Sequence, residues 1–272
     1  MRISRNLWLR LGYVAFGGVA LLLSFYATFP AQAVGQRLAH EVQVRSRGVV
    51  SVTFGDASLY RFSGVSLSNV KMTVLRDGRE PLMLDFDEAA ARLKILPLVL
   101  FRPALSARLT LGKGTVIADV TKKGNAWDVA LDIDDLDFTS PPMLPKLAGI
   151  PLNGKLDALG SVLYADPPTA SNGSLTIDLK GSSVGAGVLF GFAIPQVGLG
   201  DVKLQLDIKD GRAKVTSFEN SGGNLAFTLG GEIQLKPVFS GSTLDGCVTF
   251  KAVDAAWLEK NEKIKAAMTL AE

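Results

Sequence analysis

Apolar residues recur at every second position through most of this chain, and that period commits it to strands. Between Asp201 and Phe218, Val202, Leu204, Leu206 and Ile208 alternate with Lys203, Gln205, Asp207 and Lys209. Asp210-Gly211 follows, and Ala213 to Phe218 returns. Successive side chains of a strand point to opposite faces, so a period of two gives each strand one greasy and one wet face. Asp-Gly between two such runs predicts a tight hairpin, because a type I′ turn needs positive φ at both central residues. Arg76-Asp77-Gly78-Arg79 repeats the device between Val65–Leu75 and Pro81–Phe86. Lys123-Gly124-Asn125 does so between Thr115–Thr121 and Ala126–Ile133. Leu225, Phe227 and Leu229 mark a further strand, which Gly230-Gly231 is expected to turn so that Ile233 and Leu235 answer it. Leu175, Ile177 and Leu179 mark another; Leu156, Leu159 and Val162 mark a less regular one. Glu88 to Lys94 has helix-forming composition, yet Ala89, Ala91, Leu93 and Ile95 keep the period of two and predict strand.

About twelve strands in sequential hairpins predict a mainly β, largely antiparallel fold. Two forms satisfy the pattern: a single curved sheet, making a groove or half-barrel, or a sandwich. The apolar alternating positions are core by default. On a curled open sheet the same positions would line a lipid groove.

Four segments depart from the strand pattern. Leu11 to Phe29 is a run of nineteen residues without a charge; as a helix it spans about 29 Å, close to a bilayer's hydrocarbon thickness. Trp8 and Tyr26 fall near its ends, where amphipathic rings favour the interface, and Pro30 stops it. Arg2, Arg5 and Arg10 precede it and favour a cytoplasmic amino terminus, although Arg37, Arg45 and Arg47 follow at greater distance. The rival to an uncleaved anchor is a signal peptide cut after Ala31-Gln32-Ala33, but the apolar run is longer than the usual one. Both place the rest of the chain outside the cytoplasm. No second run brings it back, since Leu96-Pro97-Leu98-Val99-Leu100-Phe101 is short and broken by proline. Val34 to Ala39 continues as a short amphipathic turn or helix. Near the carboxy terminus, Ala255 to Met268 predicts a helix, with Trp257, Leu258, Ile264 and Met268 on one broad face. Met143 to Gly149, set among prolines, reads as a loop.

Residue chemistry excludes more than it offers. The chain has one Cys, Cys247, and one His, His40, so neither an internal disulfide nor a Cys/His zinc site can form. Cys247 is expected to be a buried small hydrophobe. His40, beside Glu41, lacks advertised partners for catalysis and reads as a surface or interfacial residue. Of 272 residues, 47% are hydrophobic and 20% charged, too apolar for disorder. Arg2, Arg5 and Arg10 account for the whole net charge of +3, and the neutral remainder has no basic excess for nucleic acid. Gly149-Ile150-Pro151-Leu152-Asn153-Gly154-Lys155 nearly spells a phosphate loop, but Leu156 stands where a magnesium-binding hydroxyl is needed. Asp132, Asp134, Asp135 and Asp137 crowd together, yet alternation sends them in pairs to opposite faces, a solvated strand end and not a cation site. No catalytic, cofactor-binding or metal-binding residue is assigned, and no cofactor is expected.

The order of several short motifs carries a resemblance. A basic tail, one apolar segment and Phe29-Pro30 open the chain; Gly154-Lys155-Leu156 follows a proline-rich loop. Then come Ile194-Pro195, Asp210-Gly211-Arg212, Gly230-Gly231-Glu232-Ile233 and Trp257-Leu258-Glu259-Lys260-Asn261-Glu262-Lys263. Along nearly its whole length the chain resembles the type II secretion system protein N family. That resemblance implies a non-enzymatic, single-pass inner-membrane protein with a periplasmic domain, docking other secretion-system or envelope proteins. Leu82 to Val162 also looks like the AsmA-like superfamily, which implies a β-groove that binds or carries phospholipid. The chain departs from both patterns at its end, where a further glycine-containing hairpin is expected. The resulting division is a cytoplasmic basic tail (1–10), a transmembrane helix (11–29), a connecting segment (30–48), a periplasmic β-rich domain (49–251) and a C-terminal helix and tail (252–272).

Overall fold

The alternation is met by hairpin after hairpin. The computed structural model describes residues 5–76, 79–138, 152–165, 167–189, 192–236 and 242–261. Its strands are β1 (Val50–Thr53), β2 (Ala57–Tyr60), β3 (Gly64–Arg76), β4 (Arg79–Leu93), β5 (Ala104–Leu111), β6 (Gly114–Lys123), β7 (Ala126–Asp137) and β8 (Leu152–Tyr164), then β9 (Asn172–Val184), β10 (Gly187–Leu189), β11 (Phe192–Ile194), β12 (Val197–Lys209), β13 (Arg212–Gly222), β14 (Leu225–Gln234) and β15 (Thr243–Ala252). Thirteen form one open antiparallel sheet in the order β1-β3-β4-β5-β6-β7-β8-β9-β12-β13-β14-β15, with β2 also on β3. β10 and β11 make a separate two-stranded hairpin inserted between β9 and β12.

Turn chemistry explains the hairpins. Asp210 and Gly211 take φ of 52° and 73°, the paired positive values that Asp-Gly was expected to supply. Gly124 takes 61° between β6 and β7. Glu88 to Leu93 is strand, as the period of two required. The strands flanking Asp77-Gly78 pair as expected, Arg76 against Arg79, while the turn itself lies outside the described residues. So does the Met143–Gly149 loop.

Gly230-Gly231 is not a turn. β14 runs straight through it and pairs Gly230 with Cys247 and Gly231 with Gly246. The glycines admit close backbone approach: a Cβ on Gly231 would lie 2.5 Å from the Asp245 carbonyl oxygen. The chain turns earlier, at Gly222-Gly223-Asn224, where Gly222 has φ 77°. In β8 the residues facing Leu179, Ile177 and Leu175 are Leu156, Ala158 and Gly160, so Leu159 falls on the opposite face, where it is exposed.

Three helices flank the sheet's first strands and a fourth follows its last. α1 (Arg5–Thr28) starts six residues before the uncharged stretch. α2 (Ala31–Arg45) is far longer than the expected turn, and packs on β1, β2 and β3. Its Gly35 is buried, because a Cβ there would meet Leu67 and Phe54 side-chain carbons at 2.9 Å. α3 (Ile95–Val99) is a single short turn between β4 and β5. α4 (Ala255–Lys260) is capped by Asp254, whose carboxylate accepts from the Trp257 amide. It ends where Asn261 leaves helical backbone and donates to the Trp257 carbonyl, well short of the expected Met268; residues 262–272 lie outside the described set.

Among the described residues no single helix is long and apolar enough to cross a membrane. Gly12–Thr28 passes only together with Ala31–Arg45, across a bend of 57°. The charge-free part of the helix, from Leu11 to Thr28, reaches about 27 Å, under the roughly 30 Å of a bilayer core, and the longer helix takes in Arg5 and Arg10.

Among the described residues little is layered on the sheet beyond β3: packing is chiefly between hydrogen-bonded neighbours, apart from α2 and a small contact of α3 with β5. Burial records the consequence. The chain exposes 18277 Å², where a compact monomer of its mass exposes about 11,400 Å². The largest side chain below 2% exposure is Ser171, so the sheet encloses no dry core of large residues. A sandwich is thereby excluded, and the single-sheet alternative stands.

Candidate functional site: the apolar face of the sheet

Register joins the apolar positions of successive strands into unbroken rows. One row runs Leu109, Val116, Ile133, Ala158, Ile177, Leu204, Phe218, each the direct partner of the next across β5 to β13. A second, nearer the other end of the strands, starts at Leu93 and Leu105. It continues through Val120, Val129, Val162, Gly173, Ile208, Ala213 and Ile233 to Leu244. Between them lie Ala107, Ala118, Leu131, Gly160, Leu175, Leu206 and Val215. At about 4.8 Å per strand the second row is about 43 Å long. Most of these side chains are only half-buried, covered by same-face neighbours and not by a second layer. Trp127, on the same face at one end, is 45% exposed.

Two bulges keep the rows in phase. Thr216 is an extra residue between the pairs Leu206–Val215 and Gln205–Ser217, so Phe218 stays on the apolar face beside Leu204. In β7 the extra residues are Asp134 and Asp135, the latter with φ 48°, between the pairs Ile133–Ala158 and Leu136–Leu156. The strict alternation expected for the aspartates is therefore broken. Asp135 bonds Lys155 at 2.6 Å, while its amide donates to Asp157 at 2.8 Å. Among the described residues no group of three His, Cys, Asp or Glu is placed to hold a metal.

The opposite face is charged and braced. Asp157 and Asp178 are direct partners, a like-charge pair that alone would repel. Lys180 sits 2.5 Å from Asp157 and Lys203 3.9 Å from Asp178. The Lys180 ammonium and the Asp135 amide hold the Asp157 carboxyl below its usual range, and Asp157 in turn raises Lys180. At Asp119 burial pushes upward, but hydrogen bonds from Lys94 and Ser106 outweigh it and the carboxyl ends lower. These are ion pairs that brace the solvent-facing side of the sheet.

The remaining sequence candidates fall elsewhere. His40 is exposed on α2 beside the Glu41–Arg45 ion pair. Leu152 to Lys155, the tail of the phosphate-loop look-alike, is the start of β8, with no helix behind it; residues 149–151 are outside the described set. Cys247 is exposed, not buried, because its partner across the ladder is the side-chain-free Gly230 and β15 is the edge strand.

The sheet has one seam. β13 and β14 pair only through Arg212, Ala213 and Lys214; further along, a cleft of about 530 Å³ opens between Lys203, Phe218, Asn220 and Thr228. Asn220 bridges it, accepting from the Phe227 amide at 2.9 Å and donating to the Leu225 and Leu199 carbonyls. Phe218 and Phe227, ring centroids 5.0 Å apart, carry the apolar face across.

No family model, curated protein or solved structure matches the chain.

Proposed function

We propose that this is a non-enzymatic envelope protein, held in the inner membrane by α1, that binds phospholipid acyl chains along the apolar face of its periplasmic sheet. The observation that carries this is the set of continuous apolar rows over which, among the described residues, no layer of protein lies. Soluble monomers rarely leave contiguous apolar patches beyond a few hundred Å² facing water. About 43 Å of apolar row exceeds the roughly 15 Å of one leaflet's acyl chains, so more than one lipid fits along it. α1 supports the anchor. Its residues from Tyr13 to Thr28 are exposed, including Phe16 and Leu21, which suits lipid and not water. At 24 residues it reaches about 36 Å.

In-cell photo-crosslinking tests the lipid reading without disturbing the fold. A photoreactive residue at Leu204, on the apolar face, is expected to capture phospholipid, and one at the adjacent Gln205, on the charged face, is not. Equal labelling at both, or none at Leu204, removes the reading.

One observation favours the docking role that the type II secretion resemblance implies. β15 is a ten-residue edge strand with no proline, and among the described residues nothing pairs its outer edge. A photoreactive residue at Thr249 should then capture a secretion-system subunit, and deleting the gene should lower enzyme export to the medium. Unchanged export with no captured subunit excludes that role and leaves the lipid reading untouched.

A further inference from the structure

We infer that the apolar loop between β4 and β5 is a second membrane-inserting element, a foot that sets one end of the sheet on the same bilayer that holds α1. The inference rests on the reading of α1 as a membrane anchor.

The loop is the most exposed apolar segment of the described sheet domain. Leu96 is 77% exposed and Phe101 94%, and Ile95, Leu98, Val99 and Leu100 are exposed with them. None of these six is charged or polar, and they stand on a single helical turn with Phe101 at a left-handed φ of 56°. Water is a poor environment for such a tip, and burying it in hydrocarbon gains the full transfer free energy of several large side chains.

Topology places this tip beside the anchor. Gly64 pairs with Arg92, and Leu93 with Leu105, so the β2–β3 loop and the β4–β5 loop share one end of the sheet. Ser63, in the first loop, accepts from the Leu93 amide at 3.1 Å and donates its hydroxyl to the Leu93 carbonyl at 2.6 Å. Its neighbour Phe62 meets the Tyr26 ring of α1 edge-on at 6.2 Å. The carboxy-terminal end of the anchor and the root of the foot thus belong to one cluster.

Charge and aromatic placement agree with a membrane surface at that end. The register continues Ala104–Thr121, Lys123–Ala126 and Trp127–Tyr164, so the same end carries every second connection of the sheet, including the β6–β7, β8–β9, β12–β13 and β14–β15 loops. Exposed on those tips are Arg61, Arg102, Lys122, Lys123, Lys209 and Lys236, with Asp210 among them. At the opposite end Asp134, Asp135, Asp201, Glu219 and Asp254 stand interspersed with Arg47, Lys113, Lys155 and Lys180, so acid and base are mixed there. A basic rim faces anionic headgroups favourably. Trp127, half-exposed with the Lys122 ammonium 5.7 Å from its ring centre, has the amphipathic character of an interfacial residue. The foot therefore opens the apolar rows toward the bilayer, since Leu93 and Leu105 begin one row at its root.

The test uses the full chain reconstituted in vesicles of phosphatidylethanolamine with phosphatidylglycerol. In a Cys247→Ser background, Phe101→Cys carries a polarity-sensitive dye. Its emission is expected to shift blue and to be quenched by lipids bearing nitroxides on their acyl chains, several-fold more than a dye on Lys113→Cys in the β5–β6 turn at the other end. A Phe101 dye as unquenched as the Lys113 dye overturns the inference. Pure lipid vesicles hold no protein partner, so quenching there assigns the tip to lipid and not to a docking protein. A dye on Phe16→Cys separates the two readings. Quenched Phe16 with unquenched Phe101 removes the foot alone, unquenched Phe16 with quenched Phe101 removes the anchor alone, and neither quenched removes both.

Discussion

Single residues decide where this sheet bends and how its charged face is held. Asp157 faces Asp178 across the β8–β9 ladder and is tolerated because Lys180 and the Asp135 amide both bond it. Its carboxyl titrates below the ordinary value, so the stability it contributes is complete above about pH 4 and is lost as pH falls through its lower folded-state value. Asp157→Asn should therefore lose less stability than the wild type between about pH 5 and about pH 3, seen in urea midpoints. Equal losses would mean that the pairing does not survive in solution. The partner side runs the other way. Lys155 and Lys180 are raised by Asp135 and Asp157, so their share is present below about pH 10.4 and fades above it. A backbone residue gives a sharper outcome. Gly200 has φ 71°, and a Cβ there would overlap the Ser221 carbonyl oxygen. Gly200→Ala meets both strain and overlap, and should cost about 2–4 kcal/mol in equilibrium unfolding.

Between elements, the β13–β14 seam is the point of least support. Three ladder pairs join β14 to β13, and past them side chains take over: Asn220 reaches the Phe227 amide and the Leu225 carbonyl, Phe218 meets Phe227, and Asn224 accepts from the Gly198 amide. Asn220→Ala removes three hydrogen bonds at the seam, a loss of about 1–3 kcal/mol. Hydrogen exchange should then rise across residues 225–252 and stay unchanged across 173–209; a uniform rise would mean that the seam is not a boundary. How much of this was legible follows from what a single sequence encodes. Asp210-Gly211 announced its hairpin because few backbones other than a type I′ turn want positive φ twice. Gly230-Gly231 misled for the same reason in reverse: glycine marks both turns and close strand approach, and only the partner strand, unseen in sequence, distinguishes them. The phase shifts at Asp135 and Thr216 were equally hidden, since each bulge is fixed by its neighbour's register. Cys247 was misjudged because burial depends on who stands opposite, and that is a glycine.

At the scale of the molecule, the alternation could not distinguish one layer from two, because a sandwich strand and a groove strand carry the same pattern. The difference lies in the absence of a facing sheet, which appears only once every strand of the main sheet is used by its immediate neighbours. That arrangement has a thermodynamic consequence. Beyond α2 and β3 each strand is held by the two beside it, so stability should approach a sum of nearest-neighbour terms, as in repeat proteins. A globular domain of this size buries a shared core and opens as one unit. Here opening should start at the edge and proceed inward. Amide exchange is expected to be fastest in β15, intermediate in β12 and β13, and slowest in β7 to β9, where two long neighbours flank each strand. The α2-covered end should be better protected than β15, since β1 and β2 are short but backed by a helix. Adding phospholipid should slow exchange along the apolar rows in proportion to occupancy, because bound chains supply the second layer that the protein lacks. A single exchange free energy shared by all strands, unchanged by lipid, would contradict both the neighbour-only stability and the open apolar face from which it follows.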